Sequence, residues 1–316
     1  MTDKAIHVAV GILRDEGGRV LTASRPEGRH MAGYSEFPGG KVEPGESVPG
    51  ALARELKEEL GICVRGTPKP LIRLRFTYPD RQVLLAVFEI PAFDGTPRPR
   101  EGQQLHWCAP RDLYALRLLP ANRPIVNALC LPSRYAITPP ELSDPDAFAR
   151  GLAPGSSPLV QLRPSPAQLK DLSWLRRMRD VARAAGVAVM LNGSPSQAAR
   201  LGFDGAHLNS RRLQQLRRRP AGLHGWLAAS CHNAAELALA ARLPVDFAVL
   251  SPVRATPSHP GHGALGWDGF AALVAEAPFP VYALGGMTPA DVKTAREHGG
   301  QGVAGIRAFI PDTPSG

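Results

Sequence analysis

The sequence predicts an α/β protein of two domains, in which an α/β/α sandwich with a mixed sheet precedes a (β/α)8 barrel. Its 316 residues suffice for two domains, and 44% hydrophobic residues are enough for packed interiors. In the first half, a glycine-rich stretch and an amphipathic helix lie among strand patterns. In the second half, short apolar runs alternate with helical segments. We expect the first domain at residues 1–131 and the second at residues 134–312.

The first half contains the elements of a mixed sheet with helices beside it. Apolar and β-branched residues predict the strands, and a turn signal at 15–18 makes the second strand the return strand of the first. A loop rich in glycine and charge follows at 26–35. The predicted strands lie at 7–13, 19–25, 71–76, 82–90 and 105–108, and a closing helix is predicted at 123–129.

The most informative stretch is a glycine-rich loop at 39–46 that leads into a helix ending at Gly61. Leu52, Leu56 and Leu60 recur every fourth residue, which places them on one apolar face of that helix. Glycine is the residue most often found just after the last turn of a helix. The pattern therefore predicts a helix that packs on the sheet and stops at Gly61.

Three glutamates gather on another face of the same helix. Glu55, Glu58 and Glu59 stand at spacings of three and four residues, so their carboxylates are neighbours. Like charges at this spacing destabilise a helix unless a cation lies among them. A solvated acidic surface would show the same cluster, but the preceding glycine loop favours a site for Mg²⁺ or Mn²⁺, which prefer oxygen ligands.

The spacing around these glutamates resembles the Nudix box. Gly40 is followed after five residues by Glu46, and after seven more by the run 54–62, without a departure from the motif. So many fixed positions in one stretch make a chance match rare. The resemblance implies that the glutamates hold metal together with the Gly39 carbonyl, and that Arg54 braces them.

The first half is similar to MutT-type Nudix hydrolases beyond the box. The resemblance places Glu101 near the attacked water and makes Asn122 the reader of a purine edge, although asparagine is also common in turns. It places Arg25 and Arg81 around the base or phosphates and Phe37 in the pocket wall. The matching segments lie at 30–32, 36–41, 79–81, 101–103 and 120–124.

The second half contains eight strand candidates separated by helical segments. Polar residues stand at the carboxyl end of each apolar run, where the active sites of TIM barrels form. This alternation predicts a TIM (β/α)8 barrel. The runs lie at 135–138, 159–163, 187–192, 205–209, 227–232, 247–252, 280–286 and 302–306.

This half resembles the thiamin phosphate synthase and TenI family, and it departs from the synthase pattern at the metal and diphosphate site. The resemblance is carried by segments at 135–138, 160–163, 205–208, 230–233, 250–253 and 284–289. Ser165 and His259 stand where the synthases have lysines, and Gly193 replaces an aspartate. The stretch 209–212 also lacks an expected acid. Because carboxylates are the ligands magnesium needs, we predict a barrel without synthase activity.

Three roles for the barrel remain open. In a thiazole tautomerase of the TenI type, His232 would be the proton shuttle, although a strand-end histidine can also be structural. A ligand-sensing module would bind phosphate at 285–286 and 305–306, and the barrel can also be a platform for the first domain. Its candidate site residues are Arg163, His232, Gly286 and Arg307.

Composition excludes several classes of protein. The sequence has no run of about 18 apolar residues and no signal-peptide core at its start, so we expect a cytoplasmic protein without membrane association. Four scattered cysteines form neither a disulfide framework nor a zinc motif. The net charge of +9 favours phosphate-bearing small molecules over nucleic acid, because its arginine clusters lack interleaved aromatic residues.

These observations predict a Mg²⁺-dependent nucleoside triphosphate diphosphatase, with 8-oxo-dGTP as the substrate implied by the MutT resemblance. Divalent metal neutralises the substrate charge while a carboxylate activates water. The sequence leaves open whether Glu55, Glu59 or Glu101 takes the proton. The alternatives are hydrolysis of another diphosphate, such as a thiamin precursor, and a regulatory protein whose domains only bind ligands. The oligomeric state is open as well.

Overall fold

The computed structural model describes residues 5–28, 31–152, 157–255 and 263–310. The chain divides into two units between Cys130 and Leu131. Leu131 was assigned to the first domain from the sequence, but it packs in the apolar interior of the second unit with Tyr135 and Tyr282. Among the helices of the described ranges, none is both long and apolar enough to cross a membrane.

The first unit contains strands β1–β9 and helices α1 and α2 within its described residues. Short 3-10 turns at Asp112–Ala115 and Pro120–Asn122 precede the last helix. The strands are β1 Ile6–Ile12, β2 Val20–Ser24, β3 Ser35–Glu36, β4 Gly39–Lys41, β5 Cys63–Arg65, β6 Lys69–Thr77, β7 Gln82–Glu89, β8 Ala92–Asp94 and β9 Leu105–Cys108, and the helices are α1 Val48–Leu60 and α2 Arg123–Cys130.

The main sheet of this unit is mixed, which confirms the prediction. Its strand order is β4-β1-β7-β6, with β1 and β7 parallel and the other pairs antiparallel. The second strand was predicted as the return strand of β1, and this was wrong: beyond a single bridge from Arg14 to Val20, β2 pairs with β3 and β9 in a separate sheet. The turn between β1 and β2 therefore connects two different sheets.

Helix α1 forms where its sequence signals place it. Ser47 caps its start by accepting a hydrogen bond from the Gly50 amide at 3.2 Å. Gly61 ends it in the left-handed region at φ 71°, with its amide donating to the Lys57 carbonyl. The leucines at 52, 56 and 60 are fully buried, and each contributes about 2 kcal/mol to folding.

The two helices cover opposite faces of the strands. The leucines of α1 pack with Ala9, Leu21 and Ile90, whereas Ile125 of α2 packs with Val10 and other residues of a separate cluster. Neighbouring residues of β1 thus contact different cores, because successive side chains of a strand point to opposite faces of the sheet. This arrangement is the predicted sandwich.

The glycine-rich stretch differs from the prediction in one respect. Gly39, Gly40 and Lys41 form strand β4 rather than a loop, paired with Val10, Ala9 and Val8 of β1. Gly39 lies at φ 137°, and a Cβ there would overlap the Ala9 carbonyl. The absence of side chains lets the strand lie tightly against β1, which the sequence pattern alone does not show.

The second unit is a closed barrel of parallel strands in the order β10 to β17, with β10 also pairing with β17. The prediction of a TIM barrel is confirmed. The strands are β10 Arg134–Ile137, β11 Leu159–Leu162, β12 Ala188–Asn192, β13 Gly205–Leu208, β14 Trp226–Cys231, β15 Phe247–Leu250, β16 Val281–Ala283 and β17 Gly302–Gly305. The helices described between them are α3 Pro145–Gly151, α4 Leu172–Ala184, α5 Pro195–Leu201, α6 Ser210–Gln215, α7 Ala234–Arg242, α8 Gly266–Val274 and α9 Val292–Glu297.

Side chains of the barrel strands alternate between two cores. One set fills the interior, where Phe247 packs edge to face with Tyr135 and Tyr282 at ring-centroid distances of 5.3 and 5.5 Å. The alternate set, including Val160 and Leu208, packs against the helices. The interior is therefore filled at its centre, and ligand space is left at the ends of the strands.

Candidate active site

The acidic face of α1 is organised by Arg54. Its guanidinium donates to both oxygens of Glu46, at 3.1 and 3.0 Å, to Glu55 Oε1 at 2.9 Å and to Glu58 Oε2 at 3.2 Å. It also donates to the Lys41 carbonyl at 3.1 Å. Hydrogen bonds to Glu46 and Glu55 raise the pKa of Arg54, and the hydrogen bonds from Arg54 lower the pKa of Glu46. Arg54 thus supplies the positive charge that the glutamate cluster requires.

Glu59 occupies a different environment from its neighbours. Its Oε2 accepts a hydrogen bond from the Gly39 amide at 3.1 Å. Burial raises the pKa of its carboxyl to about 7, and the negative charges of Glu101, Glu36 and Glu55 act in the same direction. The Gly39 amide opposes this shift. Among the described residues, carboxylates surround Glu59 and no cation forms an ion pair with it, which is the environment of a cation-binding site.

Glu101 lies on the segment that follows β8, outside the box. Its side chain is exposed, and its effect on the pKa of Glu59 places its charge near that carboxyl. The structure therefore brings Glu101 towards the face of α1 that carries the box glutamates. Its position near the attacked water, which the MutT resemblance implies, remains a prediction.

Two of the predicted substrate residues are partly or fully buried. Arg25 Nη1 pairs with Glu36 Oε2 at 2.7 Å, while its Nε is buried. Phe37 is 4% exposed and packs in the same core as Ala121. Phe37 therefore belongs to the same core as the turn that ends at Asn122, and the Arg25 Nε has no hydrogen-bond partner among the described residues.

The other two predicted substrate residues lie near the second 3-10 turn and the β6–β7 hairpin. Asn122 ends the turn Pro120–Asn122 and is 6% exposed. Arg81 is exposed, with its guanidinium 5.7 Å from the Tyr78 ring centroid and 3.8 Å from Asp80. A buried amide side chain is costly unless it is hydrogen-bonded. Asn122 is thus buried at the end of the turn, whereas the Arg81 side chain is exposed.

The barrel has a cavity of about 680 Å³ at the carboxyl ends of its strands. Arg163, Gly286 and Arg307 all line it, so the structure brings these three predicted residues together. Arg163 is partly buried, and desolvation lowers its pKa while the charge of Glu141 opposes the shift. Its backbone amide donates to Thr138 Oγ1 at 2.9 Å. The cavity therefore offers a half-desolvated cation beside glycine backbone.

His232 is held at the end of β14. Its Nδ1 lies 2.8 Å from the Ser251 carbonyl and 3.2 Å from Ser251 Oγ, and its amide donates to Glu236 at 2.8 Å. Ser251 itself lines the cavity. The contacts at Nδ1 fix the orientation of the His232 ring. A fixed ring is expected both for a structural histidine and for one that transfers protons.

The departures from the synthase pattern have structural counterparts. Ser165 and Gln168 cap each other, with backbone amides donating to the opposite side chains at 2.7 and 3.2 Å. Arg212, in the stretch where an acid was expected, donates to Asn192 Oδ1 at 3.4 Å. His259 lies outside the described residues. A cation is thus present near Asn192 instead of a carboxylate.

Comparison with known proteins agrees with both halves of this description. Residues 5–129 match the family model described as NUDIX domain, and residues 134–309 match the one described as Thiamine monophosphate synthase. The second match spans more than half of the chain. The chain belongs to both families. Its Nudix domain is a hydrolase domain of the class that acts on phosphoric anhydrides.

Three curated relatives illustrate these matches. An "8-oxo-dGTP diphosphatase" of Escherichia coli is 37% identical over 129 residues, which are 40% of this chain and 97% of that protein. A "CTP pyrophosphohydrolase" of the same organism is 39% identical over 125 residues, 40% of this chain and 91% of that protein. A "Putative thiamine-phosphate synthase" of Geobacter sulfurreducens is 33% identical over 169 residues, 52% of this chain and 79% of that protein.

The donor set of the Nudix domain fits a hard divalent cation. A Cβ on Gly40 would overlap the Glu55 carboxyl, so the bare backbone of β4 leaves room for that carboxylate. In the described ranges no three acidic, histidine or cysteine side chains converge as metal ligands, and Glu55 and Glu58 accept hydrogen bonds from Arg54. Mg²⁺ would be held by oxygen atoms from this cluster, with Glu59 and Glu101, and would neutralise substrate charge.

Sequence reasoning missed two features of these sites. Gln103 was noted only as part of a matching segment, yet its side chain contacts both Glu59 and Glu101. Inside the barrel, His207 Nδ1 lies 3.1 Å from the Tyr135 hydroxyl and its Nε2 lies 2.8 Å from Ser230 Oγ. Burial lowers the pKa of His207 to about 3, so it is neutral. Only contacts between distant segments reveal either feature.

Proposed function

We propose that the Nudix domain is a Mg²⁺-dependent nucleoside triphosphate diphosphatase that hydrolyses 8-oxo-dGTP to 8-oxo-dGMP and pyrophosphate. The observation that supports this most is the cluster of Glu59 with Glu101, Glu36 and Glu55, in which burial and like charge raise the pKa of Glu59. Such a cluster favours a divalent cation and, with it, a polyanionic substrate. The absence of membrane and disulfide signals is consistent with a cytoplasmic nucleotide substrate.

Different residues have different roles in the proposed hydrolysis. Carboxylates at the end of α1 and Glu101 surround the position where water is activated, and bound Mg²⁺ supplies charge neutralisation for the diphosphate. Arg54 keeps Glu55 and Glu58 oriented through hydrogen bonds of 2.9 and 3.2 Å. Arg81 is available for the base or phosphates, and Asn122 offers both donor and acceptor groups to a purine edge.

The choice of base is tested by Asn122→Ala. We expect the ratio of kcat/KM for 8-oxo-dGTP to kcat/KM for CTP to fall about 10- to 100-fold. The variant loses the hydrogen bonds between Asn122 and the purine edge, worth roughly 1–3 kcal/mol, and CTP does not make them. Steady-state kinetics of the full chain with 8-oxo-dGTP, dGTP, CTP and a thiamin-precursor diphosphate measures this.

Asn127→Ala is the matched control. Asn127 is equally buried at 6%, but its Oδ1 accepts a hydrogen bond from the Tyr114 hydroxyl at 2.9 Å. This variant should lose stability and keep the substrate ratio. A wild-type preference for CTP or for the thiamin precursor would contradict the proposed substrate, since neither presents an oxidised guanine.

We also propose that the barrel binds a small phosphorylated molecule without being a synthase. The cavity of about 680 Å³ with Arg163, Arg307 and Gly286 supports this, because a partly buried guanidinium suits a phosphate monoester. Arg212 near Asn192, where the synthases have acids, argues against a magnesium-diphosphate site.

Titration calorimetry of the full chain with a phosphorylated thiazole tests the barrel. Arg163→Met should weaken binding at least about 10-fold, as expected for a lost charge-assisted hydrogen bond, whereas Arg176→Met on the exposed face of α4 should not. If the wild type isomerises the thiazole and the His232→Asn variant does not, the barrel is a tautomerase. The absence of any binding would leave it as a platform for the Nudix domain.

A further inference from the structure

We propose that Gln103 is a positioning residue that fixes Glu101 against the carboxyl end of α1. Its Nε2 donates to the Glu59 carbonyl at 2.9 Å, and its Oε1 accepts a hydrogen bond from the Glu101 amide at 2.7 Å. One side chain therefore connects the two residues on either side of the proposed reaction centre. This inference rests on the proposed role of Glu101 in hydrolysis.

Gln103 is built into the fold rather than lying on its surface. It is 7% exposed, whereas Glu101, Gly102 and Gln104 around it are exposed. A buried amide costs stability unless both of its ends are bonded, and here both ends are. The side chain is thus held in one orientation, and it holds its partners in turn.

Neighbouring contacts turn residues 98–103, here called the strap, into a cover for the last turn of α1. The Arg98 amide donates to the Leu60 carbonyl at 3.0 Å, and the Arg100 amide donates to the Glu59 carbonyl at 3.2 Å. Arg100 Nη1 donates to the Lys57 carbonyl at 3.3 Å. The Glu59 and Leu60 carbonyls lie in the last turn, where a helix has no amides of its own to pair with them, and a cation beside the Lys57 carbonyl is favourable at this end.

Gly61 makes room for the strap. A Cβ on this residue would overlap the Arg100 guanidinium, and its φ of 71° is a left-handed conformation that glycine adopts without strain. The glycine that ends the box helix therefore also admits the arginine that docks the strap. The position of Glu101 is in this way coupled to the box itself.

A glutamine suits this bridge because it donates and accepts through one planar group. Glu101 and Glu59 carry like charges that repel, as their effect on the pKa of Glu59 shows. Glu101 is also exposed. A neutral bridge opposes the repulsion without adding a charge to the cluster. A glutamate at position 103 would place a further negative charge against the Glu59 carbonyl.

The test compares Gln103→Met with Gln104→Met. Methionine keeps the volume of the side chain and makes neither hydrogen bond, and Gln104 is the exposed neighbour. We expect Gln103→Met to lower kcat by about 10- to 100-fold, the usual effect of losing a residue that orients a ligand-bearing group, with KM changed less than about threefold. Hydrogen exchange of the Glu101 amide should accelerate at least about tenfold, because its acceptor is gone.

A double-mutant cycle separates positioning from a general loss of stability. In a Glu101→Gln background, Gln103→Met should lower kcat by less than about threefold, since it acts through Glu101. A full further loss in that background, or equal kcat and amide exchange in the two single variants, would overturn the inference. If the wild type hydrolysed no nucleotide, the proposed function would fail, while amide exchange would still decide whether Gln103 fixes Glu101.

Discussion

Replacing Glu59 by glutamine should lower kcat for nucleotide hydrolysis by about 10²- to 10⁴-fold, the range of effects seen when a catalytic acid or base is removed. Glutamine keeps an oxygen that accepts the Gly39 hydrogen bond, now 3.1 Å long, so the local fold is retained. What is lost is the negative charge in the centre of the carboxylate cluster. Rapid-quench kinetics with saturating Mg²⁺ measures the change.

The same variant should be more stable than the wild type above pH 7 in the presence of a chelator. The folded pKa of Glu59 is about 7 and its ordinary value is 4.5. Between these values the folded state binds more protons than the unfolded state, so the free energy of unfolding falls as pH rises. Removing the carboxyl should therefore raise the free energy of unfolding by up to roughly 3 kcal/mol above pH 7, and should change it little below pH 4.5.

Glu16→Gln is the matched control for both measurements, because Glu16 is an exposed glutamate of the same domain. It should leave kcat unchanged and stability within about 0.5 kcal/mol. If Glu59→Gln retained wild-type turnover, the assignment of the metal and catalytic site to this cluster would be wrong.

Gly40→Ala is expected to lower kcat by about 10²-fold while the protein stays folded. The new methyl group would overlap the Glu55 carboxyl, which is the mobile end of a side chain and can move aside. Moving it breaks the 2.9 Å hydrogen bond from Arg54 and displaces an oxygen that the proposed metal site uses. A displacement of about 1 Å in a catalytic site costs on the order of 10²-fold in rate.

Gly39→Ala provides the contrast on the adjacent residue. Here the methyl group would overlap the Ala9 carbonyl, which is backbone, and φ is 137°. We expect a large loss of stability, about 2 kcal/mol or more, seen as a lower Tm. Full activity of Gly40→Ala at wild-type stability would show that Glu55 lies elsewhere in the working enzyme.

Much of the fold follows from the sequence, because its strongest signals are local. The leucine spacing and Gly61 predicted α1 and its end, and the alternation of apolar runs predicted the barrel strands to within one or two residues at most ends. These patterns depend on periodicity within one element, which the sequence records directly. The box glutamates are likewise close together in the chain, so their helical spacing brings them onto one face.

The rest depends on contacts between distant segments. That Gly39 and Gly40 form an edge strand is decided by the backbone of β1, and the pairing of β2 with β9 joins residues more than 80 positions apart. The orientation of Arg25 is set by Glu36. None of these partners is marked by a local pattern. The roles of Glu101 and Asn122 remain predictions that the experiments above test.

Arg54 has a consequence for the exchange of metal. Its guanidinium, bonded to Glu46, Glu55 and Glu58, provides a permanent counter-charge inside the polypeptide. Helix α1 therefore does not rely on a divalent ion to fold, unlike small domains whose structure is created by zinc. An incoming ion must instead compete with an arginine for the same oxygens. If the proposed site binds Mg²⁺, it could be emptied and refilled while the scaffold persists, and its occupancy would follow the free magnesium concentration.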